Sequence, residues 1–352
     1  MLPRTYPSYP VPHEFLLADP GKSVRSWDPH DPPQHRADFA YLGRMLATMQ
    51  AALPEPKLTV VTTTDHRTLP RYGRDVAVIQ RAGPDARPPR YANRVLAVFK
   101  THSAQPVLAA RPGRESPALT AVSTLAYLQA AAGGAPARLA FRGRFPGRAA
   151  PVVEPIPMGV MWPCRVAFPP ITERPIDVLF NGSVQTRERT GLRRLAGTPK
   201  MHSRDAMLRR LAELQAEAPE LRVEVAVTPS FAHSKHAPAD DYWRRLGSAK
   251  LCLAPRGDTL ETYRVFEAAR AGCIVLGERL PSNWFYDRAP VLDQTGWRDL
   301  ARSVRSLLAD EAELIARHQA TRSWWEQSVA PEPVGRHVAA VLKRALGAGR
   351  GD

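Results

Sequence analysis

The sequence predicts an α/β protein of two Rossmann-like, doubly wound domains facing a cleft. Three observations carry this. The chain has 352 residues, too many for one small core and enough for two domains of ordinary size. Short β-branched runs alternate with helical patterns, the order that parallel sheets require. One stretch, MWPCRVAFPPITERP at 161–175, breaks all periodicity and divides the chain. The expected domains are therefore 1–160, with 1–35 as an irregular arm, and 176–330. Between them 161–175 is a linker, and 331–352 is a C-terminal helix and tail.

The elements follow in order. Residues 1–35 are rich in Pro, Asp and His and show no period. ADFAYLGRMLATMQAAL (37–53) has apolar residues at helical spacing and ends at Pro54. KLTVVTTT (57–64), RDVAVIQR (74–81) and RVLAVFKT (94–101) read as strands. SPALTAVSTLAYLQAAAGG (116–134) is a helix with a Gly-Gly stop, and APVVEPIPMGV (150–160) a strand running into a turn. The second half is cleaner. Strands are expected at 174–184, 221–228, 250–255, 273–276 and 289–293. Helices are expected at 204–219, 239–249, 260–272, 296–310, 312–328 and 335–347, and Gly272 closes the third of these.

Composition narrows the classes. Hydrophobic content of 44% and charged content of 24% are those of a soluble globular protein. The net charge is +15, but only seven of the 49 basic residues are Lys. An Arg-rich, Ala-rich chain of this kind reflects base composition as readily as a polyanionic partner. No run of consecutive basic residues, zinc-finger spacing or RNA-binding aromatic signature accompanies the charge, which disfavours nucleic acid. A charged acceptor or the surface of a membrane fits better. Cys164, Cys252 and Cys273 are too few and scattered for a disulfide framework or metal site, and read as reduced, buried small hydrophobes. The N-terminus lacks a signal pattern, and no stretch is long enough to span a bilayer. The expected location is cytoplasmic, with peripheral contact at the inner face of a membrane.

Ligands of open α/β sheets bind beyond the carboxyl ends of the strands, which directs attention to the loops after 181, 228, 255 and 276. APRGDTL (254–260) follows a strand and opens a helix. Unpaired N–H groups and the positive end of the helix dipole suit an anion there. Gly257 permits close backbone approach, and Arg256 and Arg264 offer charge-assisted bonds to phosphate. Arg264 and Glu267 lie three apart on one helix face. A carboxylate so placed can accept bonds from two ribose hydroxyls. A surface ion pair would use the same spacing.

The stretch from Ser248 to Leu276 resembles the core motif of exostosin-type glycosyltransferases. That pattern is roughly F-C-L-x-P-x-G, then S-x-R-x-x-E-A, then G-C-I-P-V. Cys252, Pro255, Gly257, Arg264, Glu267, Gly272, Cys273 and Ile274 match it. Thr262 stands for the usual Ser and Val275 for Pro. The resemblance covers under a tenth of the chain, and it implies the GT-B fold and transfer of a sugar from a nucleotide-diphospho-sugar. By it, Glu267 holds the ribose, and Arg264 with the Arg256–Gly257 turn faces the diphosphate. Thr262 and Tyr263 flank that site. In the wider GT-B class the first loop of the second lobe also approaches the donor, here Asn181, Gly182 and Ser183, with Arg187 and Arg189 as further phosphate ligands.

The implied acceptor is a glycan, a lipid-linked sugar or another hydroxyl, bound by the first lobe. No motif calls for a cofactor or metal, and Asp-x-Asp is absent from the sequence. An inverting reaction needs a base. Asp65 and His66, after the first strand, are the expected catalytic pair, with Glu14 and His102 as alternatives. A turn capped by Asp65 would use the same residues. Pro157-Met-Gly159 is similar to a segment near the interlobe hinge of GT-B enzymes. Ser282–Arg288 carries three adjacent aromatics that could stack a base or pack beneath the cleft. Trp324 and Trp325 read as core, and HSKHA (233–237) as a polar loop. A non-catalytic module binding a nucleotide or polyanion is the alternative function.

Overall fold

The computed structural model describes residues 13–33, 38–81, 88–103, 105–143, 151–184, 197–228, 239–257 and 259–348. The first sheet is built from β1 (Glu14–Leu17), β2 (Arg25–Ser26), β3 (Thr59–Thr63), β4 (Gly73–Gln80), β5 (Val95–Lys100) and β6 (Val152–Pro155), in the order β2-β1-β3-β4-β5-β6. β2 is antiparallel to β1 and the other pairs are parallel. The expected irregular arm therefore contributes two strands. EFLL is too short to show a period. It becomes a strand because Phe15, 2% exposed, lies opposite Val60 and meets Trp27 edge-on at 6.2 Å.

Alternation along the strands gives this sheet two apolar faces. Phe15, Val60, Ala77, Ile79 and Phe99 belong to the core shared with α1 (Phe39–Ala52) and with α8 (Pro331–Ala348), the last helix of the chain. Val61, Val76, Val78 and Val98 face the other way, onto Leu69, Tyr91 and Ala92 from connecting segments. Helix α8 lies so close to α1 that a Cβ on Gly335 would sit 2.4 Å from the Met45 carbonyl oxygen. Helix α2 (Pro117–Gly143) connects β5 to β6 and runs past the expected Gly-Gly stop. A glycine inside a helix costs only about 1 kcal/mol.

The second sheet contains β7 (Ile176–Ser183), β8 (Val223–Thr228), β9 (Ala249–Ala254), β10 (Ile274–Gly277) and β11 (Leu292–Asp293), ordered β11-β10-β9-β7-β8. Its pairs are all parallel. Val178, Phe180, Leu251, Leu253, Ile274 and Leu276 pack on α3 (Pro199–Glu217), α6 (Leu300–Ala309) and α7 (Glu311–Trp324). Leu179, Cys252 and Val275 face α4 (Ala239–Gly247) and α5 (Tyr263–Ala271). With helices on both faces, this is a doubly wound Rossmann-like unit. The chain thus folds as two α/β lobes, each built on a largely parallel sheet, which is consistent with the two Rossmann-like domains of the GT-B class expected from the sequence.

Gly272 closes α5 in the left-handed region, at φ +71. A Cβ there would lie 2.5 Å from the His318 ring, so both conformation and space require glycine. Cys252 and Cys273 are fully buried, and burial pushes the Cys273 thiol up to about 11. Arg174, in the segment expected to be a linker, is itself buried. It bonds the carbonyls of Pro169 (3.2 Å), Ala249 (2.9 Å) and Ala271 (2.7 Å), which ties that segment to the second sheet.

One apolar core runs through both lobes. Tyr41 donates to the Val329 carbonyl at 2.6 Å, and Trp284 to that of Pro155 at 2.8 Å. Gly159 has φ +70, and a Cβ there would meet the Tyr41 ring at 2.4 Å. The aromatics of Ser282–Arg288 serve packing. Phe285 is fully buried, Trp284 stacks on His337 at 3.8 Å, and Tyr286 and Phe266 stack with Trp324.

Candidate active site

Chain order in the second sheet reverses between β7 and β9. At such a reversal the following connections leave on opposite faces and open a crevice at the carboxyl ends. Asn181, Gly182 and Ser183 are the last residues of β7, paired with Ala226, Val227 and Thr228. They lie in a strand, not in a turn. Ser183 Oγ accepts from Lys200 Nζ at 2.9 Å, and the Ser183 carbonyl accepts from Arg204. Arg204 Nε also donates to the Arg256 carbonyl at 3.2 Å.

Arg264 arrives from α5. A Cβ on Gly182 would lie 3.7 Å from Arg264 Nη2 and 3.4 Å from Arg204 Nη1. Gly182 thus leaves room for two guanidinium groups, and Lys200, Arg204 and Arg264 converge on the end of β7. Lys200 and Arg204 were missed in the sequence. A signal for them existed: Thr198 accepts from the Met201 N–H as N-cap, and Pro199 is the first residue of the helix. The helix pattern read from 204 onward began one turn too late.

Glu267 is 4% exposed. Its Oε2 accepts from the Tyr242 hydroxyl at 2.5 Å and lies 3.7 Å from Arg264 Nη1. Arg264 Nη1 also bonds the Tyr242 oxygen. Burial pushes the Tyr242 phenol well above its usual range, Arg264 acts against this and Glu267 with it, so the phenol stays a neutral donor. Burial disfavours the Arg264 cation, but Tyr242 and Glu267 outweigh it and raise its pKa. The predicted pair is therefore a half-open triad of Tyr242, Arg264 and Glu267. Thr262 makes no capping bond at the start of α5. Tyr263 is half-buried, and the charges of Asp38 and Arg81 in the first lobe act on its phenol.

Arg256 departs from expectation. Its side chain is 2% exposed, held by Glu278 through Nε, Ser123 Oγ at 3.0 Å and Glu115 at 3.3 Å. All three sets of donors are engaged with groups from both lobes. Its chemistry is that of an interlobe clamp, and a diphosphate would have to displace carboxylates to reach it. Gly257 stays close to the chain behind it: a Cβ there would approach the Glu261 carbonyl to 3.2 Å.

The carboxyl ends of the first sheet supply the opposite wall. Asp65 accepts from the Arg67 N–H at 2.7 Å and the Thr68 hydroxyl at 2.8 Å. Burial acts to raise its pKa, but these bonds outweigh it and the carboxyl is held below its usual range. Its geometry is that of a capped turn, and His66 beside it is exposed. Glu14 begins β1 and so lies at the opposite end of the strands, bonded to Thr59 at 3.0 Å. His102 follows β5, and burial with the nearby Lys100 charge pushes its imidazole down to about 4, so it is neutral.

Next to His102, the Ser103 N–H crosses to Glu261 Oε2 at 3.0 Å. Glu261 also accepts from Asn283 at 3.4 Å, and burial pushes it up to about 7. No local pattern marks this residue. Arg187, Arg189, Asp258 and residues 233–237 lie outside the described residues.

No protein-family model matches the sequence, and no curated protein matches it. Among solved structures, the chain is similar to the pneumococcal O-GlcNAc transferase GtfA in complex with UDP and GlcNAc, at 10% identity and TM-score 0.43, over 87% of this chain and 60% of that one. It is similar to TarM of S. aureus at 9% identity and TM-score 0.43, over 81% and 55%. Sucrose-phosphate synthase from Thermosynechococcus elongatus is similar at 14% identity and TM-score 0.40, over 96% and 99%. The chain spans little more than half the length of the first two.

Proposed function

We propose that the protein is a glycosyltransferase that moves a sugar from a nucleotide-diphospho-sugar to an acceptor hydroxyl, in polysaccharide or glycoconjugate synthesis. The observation that carries this reading is the Arg264–Glu267 pair at the reversal of the second sheet, facing Gly182. Glu267 exchanges the Tyr242 hydrogen bond for those of the ribose hydroxyls. Arg264, Lys200 and Arg204 surround the diphosphate beside Ser183. As the glycosyl–oxygen bond breaks, negative charge grows on the leaving diphosphate, and preorganised cations stabilise it more than they stabilise the bound donor. This assigns the leaving group to side chains and asks for no metal.

The acceptor lies against the first lobe. Three groups there compete to take its proton: Asp65, His66 and His102. Substituting each singly separates them, because only the true base lowers turnover while leaving donor binding unchanged.

A thermal-shift screen of nucleoside diphosphates and their sugars tests the reading. One nucleoside diphosphate should raise the melting temperature, and Arg264→Ala or Glu267→Gln should abolish the shift in a folded protein. Retention on heparin with no response to any nucleotide sugar would replace it with a polyanion-binding module.

A further inference from the structure

The first lobe holds a charged group that none of the roles above uses. Arg81 follows β4 at the carboxyl end of the first sheet, where its N–H donates to the Thr63 carbonyl at 2.8 Å. Its side chain is 15% exposed and pairs through Nη2 with Asp38, the residue before α1. The guanidinium carbon lies 4.6 Å from the centroid of the Phe39 ring. Nε and Nη1 are buried and have no hydrogen-bond partner, and among the described residues no other side chain has two such atoms. The Thr62 hydroxyl is also buried without a partner. Thr62 lies opposite Ile79, two residues before Arg81, so alternation puts Thr62 and Arg81 on one face. Buried donors are almost always paired, because an unmet one has lost its hydration for nothing. Asp38 and Phe39 fix the guanidinium, so it cannot turn to find acceptors, and the missing acceptors point to a ligand.

The place is the cleft. Burial pushes the Tyr263 phenol up, and the next influences on it are the charges of Asp38, Arg81 and Glu267. Tyr263 belongs to α5, beside Arg264. The Asp38–Arg81 pair therefore meets the open site of the second lobe across this one phenol. The pair also selects the chemistry. Asp38 makes no side-chain bond to the helix it begins, and its side chain is 17% exposed. It puts an acceptor beside two unmet donors, with no net charge between the two side chains. A hydroxyl suits both, because it accepts through its oxygen and donates its hydrogen. A phosphate or carboxylate would satisfy Arg81 but be repelled by Asp38.

We propose that Arg81 and Asp38 form the acceptor subsite and hold a hydroxyl of a neutral sugar, Arg81 donating to its oxygen and Asp38 accepting its hydrogen. As an acceptor subsite it rests on the glycosyl-transfer reading; as a sugar-binding site it stands alone. The test is saturation-transfer NMR of the full chain with the methyl pyranosides of glucose, galactose and mannose, and with methyl glucuronide as the acidic counterpart. Each is measured with and without uridine or guanosine diphosphate. Wild type should bind at least one neutral glycoside and favour it over the glucuronide. Arg81→Met should weaken that binding more than about tenfold. Arg81→Met with Asp38→Asn should do the same and melt no lower than wild type, because it removes buried donors that have no acceptor. No neutral glycoside bound, a preference for the glucuronide, or glycoside binding unchanged in both variants would overturn the proposal. So would a double variant that melts well below wild type, which would make the pair a structural tie. The two readings fail separately. Glycoside binding with no response to either nucleotide keeps the subsite and removes the donor site, and nucleotide binding with no glycoside does the reverse.

Discussion

Arg256 and Arg264 lie on one short stretch, each beside glutamates, and they have opposite surroundings. Arg256 is sealed between Glu115 of the first lobe and Glu278 of the second, with both carboxylates almost fully buried. Arg264 has a side chain 16% exposed, one carboxylate partner, and the bare backbone of Gly182 in front of it. An arginine whose donors are all taken holds the fold. An arginine with an open side at a sheet reversal can take a ligand. Sequence spacing alone does not separate the two.

The largest expected effect breaks the closed site. Arg256→Met leaves Glu115 and Glu278 buried together without a cation, which should cost about 3–5 kcal/mol, measured by denaturant unfolding. Burial already pushes the Glu115 carboxyl up, and Arg256 is the main influence pulling it back. The variant should also melt more easily as pH rises, because the Glu115 carboxyl, already pushed up by burial, then ionises without its cation.

The next effect tests the other interlobe contact. Glu261 has an ordinary value of 4.5 and is pushed up to about 7 by burial. Its folded pKa lies above its unfolded one, so its contribution is complete below about pH 4.5 and is lost as pH rises towards 7. The loss is on the order of 3 kcal/mol. The stability–pH profile of Glu261→Gln should lack that decline.

Substitutions at the open site should behave differently. Glu267→Gln keeps an acceptor for Tyr242 and should change stability by no more than about 1–2 kcal/mol, yet abolish nucleotide binding in calorimetry. Asp65→Ala should have the smallest effect, about 1 kcal/mol for a lost turn, with donor affinity unchanged. If it also lowers turnover, Asp65 is more than a cap.

The β9–α5–β10 unit was legible in detail because its signals are local: an apolar run, a helical face and Gly272 at a left-handed cap. β1 was not, because four residues hold no period and the strand forms only by pairing with β3, some 45 residues on, with Phe15 opposite Val60. The clamp was equally hidden. Glu115 and Glu278 lie 141 and 22 residues from Arg256, and nothing near any of them announces the meeting. Lys200 and Arg204 stood between: Thr198-Pro199 marked a helix start, but their convergence on Ser183 follows only from the strand order. The lesson is physical. Local propensity places elements, whereas the partners of a charge are set by topology.

Whether the open site takes a nucleoside diphosphate is decided by calorimetric titration of uridine and guanosine diphosphate into wild type and Arg264→Ala. Wild type should bind one nucleotide saturably, and Arg264→Ala none. Binding of equal strength to both proteins, or to neither, would contradict it.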